Sequence, residues 1–226
     1  MQVSCDLFHP LLFPPSSLTF LCCCCCCCSS GVTLTGKQWF GSIYRPDCDC
    51  GDAGSWCPAS LHPFIVVHDV DGLAGRPMGS YTPLVDLLGH PHFAAKAVVF
   101  LMDGLYAGPT QSLETGPSPP SRFASAPFNG NWACSVFASQ DPIALDSVAY
   151  DMLRNEPSTP LAHNGCVDNY LHEAALIPKS PSGTVYNPSG KAPLTTSLGC
   201  HEHRDPVTML YSGNSGSKNG ISLIRV

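Results

Sequence analysis

Cys200-His201-Glu202-His203 sets two histidines two residues apart near the end of the chain. In an extended segment alternate side chains share a face, so His201 and His203 point one way and Cys200 and Glu202 the other. Two imidazoles on one face are half of a zinc or iron site, and a third ligand must come from elsewhere in the chain. In "DNYLHE", Asp168 and His172 are four apart, which a helix brings to one side. A carboxylate there orients the imidazole or raises its pKa, as general acid–base chemistry needs. Asp103 follows the apolar run "KAVVFLM", and in open α/β sheets ligands gather at the carboxyl ends of strands. Lys37 is a candidate for an anionic substrate group. Asp141, Asp146, Glu173 and Glu202 are further candidates. Each position also has an ordinary structural reading: Asp103 as a turn residue before glycine, the Asp168/His172 pair as a decorated helix surface, the histidines as residues bonded to backbone carbonyls.

Other chemistry is excluded by spacing. "GVTLTGK" (31–37) contains G-x-x-x-x-G-K, but Gln38 stands where a P-loop needs the Ser or Thr that holds magnesium. Val32, Thr33, Leu34 and Thr35 are strand formers, which a phosphate-cradling loop is not. Cys48-Asp49-Cys50 with Cys57 fits neither common zinc spacing nor a ferredoxin run, so no iron–sulfur cluster motif is present. G-x-S-x-G, H-E-x-x-H and G-x-G-x-x-G do not occur.

The elements that must position the candidates are an alternation of strands and helices. Strands are expected at Val32–Thr35, Ala97–Met102 and Trp132–Ser139, and Phe64–Val70 is a short strand or the end of a loop. The stretch "SGTVYNPSGK" is expected to be a strand and turn, and "LGCHEH" and "ISLIRV" short late strands. The continuous apolar run from Ala97 to Met102 predicts burial on both faces. A helix from Tyr81 to Leu88 is expected, capped by Ser80 and ended by Gly89. Asp141-Pro142 opens a second helix to about Asn155, with aspartate as N-cap and proline in the first turn. A third helix spans "VDNYLHEAALI", with apolar Leu171, Ala174, Ala175 and Leu176 expected to pack on the sheet. The fold class expected is α/β: a single mixed or mostly parallel sheet flanked by helices, with long Gly/Pro-rich loops.

Composition bounds the rest. The 226 residues suit one α/β domain, and the net charge of −6 provides no basic face for nucleic acid. Twenty Gly and 22 Pro predict many loops. Seven of the 14 cysteines are the run Cys22–Cys28, a low-complexity tract matching no metal spacing. Residues 1–30 lack the basic start and unbroken apolar centre of a signal peptide, and Pro10, Pro14 and Pro15 interrupt any membrane span. They are read as a non-globular segment outside a single domain at 31–226.

Several segments in order, "GVTLTGKQWFGSI", "MGSYTPLVDLLGH", "KAVVFLMDGLYAG", "SAPFNGNWACSVFASQDPIALDSVAYDMLR", "CVDNYLHEAAL", "PSGTVYNPSG" and "SLGCHEH", together resemble the bacterial branch of the family called domain of unknown function 362. The resemblance covers most of residues 31–226. It implies a mixed α/β domain with a longer N-terminal half, and it makes "GVTLTGK" a strand-and-lysine segment of that family. Where the family has its first strands this chain has the Pro-rich, poly-Cys stretch, so a truncated or wrongly joined start is expected. The family implies no settled activity.

Three functional classes follow. The first is an enzyme for a small anionic substrate, metal-assisted or acid–base, with Lys37, Asp103, Asp168 and His172 in catalytic roles and His201 and His203 holding a divalent metal. The second is a binding module using the 104–131 loop, with Tyr106 and Trp132 as contacts. The third is an inactive fragment. Substrate, oligomeric state and compartment are not legible.

Overall fold

The structure, a computed structural model, describes residues 2–5, 19–24, 81–94, 96–104, 122–156, 169–217 and 219–226. Among these residues the chain forms β1 (Gln2–Cys5), β2 (Thr19–Cys24), α1 (Pro83–Gly89), the single turn α2 (Pro91–Ala94), β3 (Ala97–Gly104), β4 (Ser135–Ser139), α3 (Pro142–Arg154), α4 (Asn169–Ala175) and β5 (Ile221–Ile224). The architecture is mixed α/β. At the centre β3 and β4 run antiparallel, with Phe100 opposite Ser139 and Gly104 opposite Ser135. The sheet order is β2-β3-β4-β1-β5. β2 is parallel to β3, β1 parallel to β4 and β5 antiparallel to β1, so the sheet is mixed rather than mostly parallel. β1 and β2 are the described parts of residues 1–30. Thr19, Phe20 and Leu21 carry strand propensity, and cysteine behaves as a small apolar residue that a ladder accepts.

β3 buries one face more fully than the other: Phe100 and Met102 are buried while Val99 and Leu101 are half-buried, so the burial expected on both faces is complete on one. β4 starts at Ser135 rather than at Trp132. Cys134 has φ 43, a left-handed conformation that cannot continue a ladder. Neither "SGTVYNPSGK" nor "LGCHEH" forms a strand: the first is irregular over 183–187 and ends in the expected turn at 188–189, and the second bends at 198–199 and continues without sheet pairing. The expected strands at 32–35 and 64–70, and Ser80, lie outside the described residues. Thr82 occupies the N-cap position of α1, without a side-chain bond.

Every residue of α3 from Ile143 to Leu153 is buried, because the helix is covered on two sides. Ala144, Leu145, Val148, Ala149 and Met152 pack with Phe100, Met102 and Phe137 of the sheet. Ile143 packs instead with Leu84, Val85, Tyr170 and Leu171, from α1 and α4. Helix α4 therefore rests on α1 and the start of α3, not on the sheet. Leu171 and Ala174 are buried in that helical cluster, while Leu176 is 51% exposed, contrary to the expected packing of all four apolar residues. Burying Leu171 contributes about 1.5–3 kcal/mol and holds its neighbour His172 in place.

Asp141 caps α3 as its sequence predicts, with Oδ1 accepting from the Ala144 amide at 2.9 Å. Its Oδ2 accepts from the Cys200 amide at 2.7 Å, tying the start of α3 to the segment that carries His201. Gly199 makes this approach possible: a Cβ there would lie 2.1 Å from Asp141 Oδ1 and 2.7 Å from the Ile143 Cβ. Burial pushes the Asp141 carboxyl from 3.8 up to about 6, against the opposing effect of the Ala144, Cys200 and Ile143 amides. The folded state then binds the proton more tightly than the unfolded one. The associated stability is complete below the unfolded value of 3.8 and is lost as pH rises through about 6. In chelator, wild type should lose up to about 3 kcal/mol relative to Asp141→Asn between pH 4 and 7, read by urea unfolding at each pH. Parallel profiles for the two proteins would contradict this.

Candidate metal centre

Helix α3 buries three polar residues among its apolar ones, Asp146, Ser147 and Asp151. Ser147 and Asp151 are four apart and therefore share a helix face. The extended segment 201–203 lies along that face. Its period of two sets His201 against Ser147 and His203 against Asp151. Glu202 projects the other way, its Oε1 accepting from the Ser212 amide at 3.1 Å and the Ile221 amide at 2.7 Å. Cys200 packs against the core.

The hydrogen bonds assign the protons. Ser147 Oγ donates to the Ile143 carbonyl at 2.7 Å, so its lone pair accepts from His201 Nδ1 at 2.8 Å. His203 Nδ1 donates to Asp151 Oδ1 at 2.7 Å. With Nδ1 donating in both contacts, Nε2 of each ring is the nitrogen with a lone pair to offer a metal. Asp151 Oδ2 accepts from the Arg204 amide at 2.9 Å and the Tyr211 hydroxyl at 3.0 Å, so the carboxylate has three donors. Burial, and then the Asp151 carboxylate, holds the Tyr211 phenol protonated and far above its usual range.

Helix α4 supplies the third ring. His172 Nε2 lies 3.3 Å from His201 Nε2. Each imidazole offers one nitrogen, and the three nitrogens lie within 4.8 Å of one another. The rings stand edge to face: His172 and His201 at 89°, His201 and His203 at 83°. Two nitrogens bound to one tetrahedral zinc at 2.0–2.1 Å stand about 3.3 Å apart, the spacing of the His172/His201 pair. The longest separation has to close by about 1.5 Å to match. His203, whose side chain is 34% exposed, is the ring with room to move. The cluster can hold a metal ion.

The other candidates separate from this group. Asp146 accepts from the Tyr170 hydroxyl, joining α3 to α4 two residues before His172. Glu173 accepts from the Ser182 amide at 2.7 Å, the Ser182 hydroxyl at 2.6 Å and the Tyr186 hydroxyl at 2.8 Å, which pins the 182–186 segment to α4. Asp141, Asp146, Glu173 and Glu202 thus join elements. Asp103 falls in β3 opposite Val136 and Cys24, and its side chain lies outside what the structure describes. Lys37, Asp168 and Tyr106 lie outside the described residues. Ser147, Asp151 and Tyr211 were not singled out from sequence. The signal was present in "ALDSVAYDML", where polar residues four apart interrupt an apolar helix.

No family model, curated protein or solved structure matches the chain. No helix among the described residues is long and apolar enough to cross a membrane.

Proposed function

We propose that this chain is a metal-dependent enzyme whose centre is one divalent ion held by Nε2 of His172, His201 and His203. The observation that carries the reading is the cluster itself: one nitrogen from each of the three rings lies within 4.8 Å of the others, with Ser147 and Asp151 on Nδ1 of two of the rings. A carboxylate behind a ligating histidine raises its basicity and fixes its orientation. Three imidazoles with no thiolate or carboxylate suit zinc, copper, iron or nickel rather than magnesium or calcium. With neutral ligands the ion keeps its full charge, and on an open fourth position it would acidify a water and polarise a substrate oxygen. His172 then serves as ligand rather than as an acid–base partner of Asp168. The resemblance to domain of unknown function 362 adds no reaction to this reading.

The cysteine tract would itself take up zinc, so the test compares two proteins. Cobalt(II) is titrated into wild type and into the His172→Ala/His201→Ala/His203→Ala variant, and the visible spectra are subtracted. A saturating difference spectrum at one equivalent, without sulfur charge-transfer bands, is expected. Zinc at a hundredfold excess over its Kd should raise wild-type stability about 2.7 kcal/mol above its effect on the variant. For a chain of this length that is a Tm difference of about 5–10 °C. A flat difference spectrum refutes the reading.

A further inference from the structure

Helix α3 continues past the residues that orient the rings. Ser147, Asp151 and Arg154 are spaced i, i+4, i+7 and fall on one stripe. His201 lies on the first, His203 on the second, and Arg154 stands about 4.5 Å further along the axis than Asp151. Tyr150 links the two: its ring centroid is 5.7 Å from that of His203, and the Arg154 guanidinium carbon sits 5.9 Å over the same ring. One aromatic ring therefore has the outermost ligand on one contact and a guanidinium on another.

Arg154 is exposed, and among the described residues no carboxylate pairs with it. Three carboxylates near it in sequence or on the adjoining 201–205 segment are otherwise engaged. Asp151 is occupied by His203, Arg204 and Tyr211. Glu156 is buried and accepts from the amides of Ala124 at 2.8 Å and Ser125 at 2.9 Å. Asp205 Oδ1 takes the amides of Val207 and Thr208. The Arg154 guanidinium, which shares the Tyr150 ring with His203, is an exposed positive charge on a chain of net charge −6.

Resting on the metal reading above, we propose that Arg154 is the anion-binding residue of this centre and that the substrate class is a small oxyanion. One oxygen of a phosphate or carboxylate group would face the ion's open position, and the planar fork of Arg154 would receive the others. The two anions share this chemistry, and the experiment separates them.

Cobalt-loaded protein is titrated with inorganic phosphate and, separately, with acetate at constant ionic strength, following the wild-type minus triple-alanine difference spectrum. Neutral imidazole is the control ligand. At least one anion is expected to change the spectrum saturably. Arg154→Gln should raise that anion's apparent Kd about tenfold or more and leave imidazole binding unchanged. Arg154→Lys, which keeps the charge but loses the fork, should fall between. A response to phosphate alone assigns a phosphoryl substrate, and one to acetate alone a carboxylate. Saturable anion binding that Arg154→Gln does not weaken overturns the proposal, as does the absence of any anion response. Absence of the cobalt difference spectrum itself would instead remove the metal reading, a separate and visible failure.

Discussion

His201→Ala is expected to weaken zinc binding by more than about a hundredfold while leaving the metal-free protein nearly as stable as wild type. His201 is the middle of the triad: its Nε2 lies 3.3 Å from that of His172, and its ring is 4.9 Å from that of His203. Removing it leaves two ligands from separate elements, and loss of a residue merely supporting a ligand already costs 10–100-fold in affinity. The folded chain has little to lose. Ser147 Oγ keeps its bond to the Ile143 carbonyl, so no buried polar atom is orphaned and the stability cost should stay near 1 kcal/mol. Competition with a chelator of known zinc affinity reads the first effect, and urea unfolding in chelator the second. A zinc Kd within about threefold of wild type would mean that zinc binds elsewhere, the cysteine tract being the obvious place.

The parts of the molecule legible in the sequence are those governed by local rules. Asp141-Pro142 announces the start of α3 because an N-cap carboxylate and a first-turn proline satisfy the orphan amides with no help from the rest of the fold. The alternation of His201 and His203 needs only an extended backbone. What defeats sequence reading is whatever depends on a partner far along the chain. Residues 198–203 look like a strand, yet they find no ladder and are held through side chains from α3. Glu173 looks like an acid beside a catalytic histidine. It faces the other way on α4, where three donors from 182 and 186 consume it. Leu176 continues the apolar pattern of its helix but falls past the end of the cluster that buries Leu171. Ser147 and Asp151 are separated from their histidines by more than fifty residues, and only the placement of α3 between sheet and helices makes them neighbours.

Asp151 offers a pair of substitutions whose effects should diverge. Asp151→Ala removes the acceptor of three buried or half-buried donors at once: His203 Nδ1, the Arg204 amide and the Tyr211 hydroxyl. Breaking such a buried charged group costs about 3–5 kcal/mol, which for a chain of this length is a fall in Tm of roughly 10 °C. Asp151→Asn keeps the shape. With its carbonyl oxygen in the Oδ2 position it still accepts from Arg204 and Tyr211, so stability should fall by only about 1 kcal/mol. Its amide NH₂ then faces His203 and can only donate. His203 Nδ1 must become the acceptor, and the ring hydrogen moves to Nε2, the atom meant for the ion. Zinc affinity should fall about 10–100-fold in a protein that remains folded. Nitrogen-15 chemical shifts of His203 would register the change of tautomer directly. Asparagine at 151 with unchanged zinc affinity would show that His203 takes no part in holding the ion. Alanine at 151 with unchanged Tm would show that the carboxylate is not the hub joining α3 to the 203–211 segment.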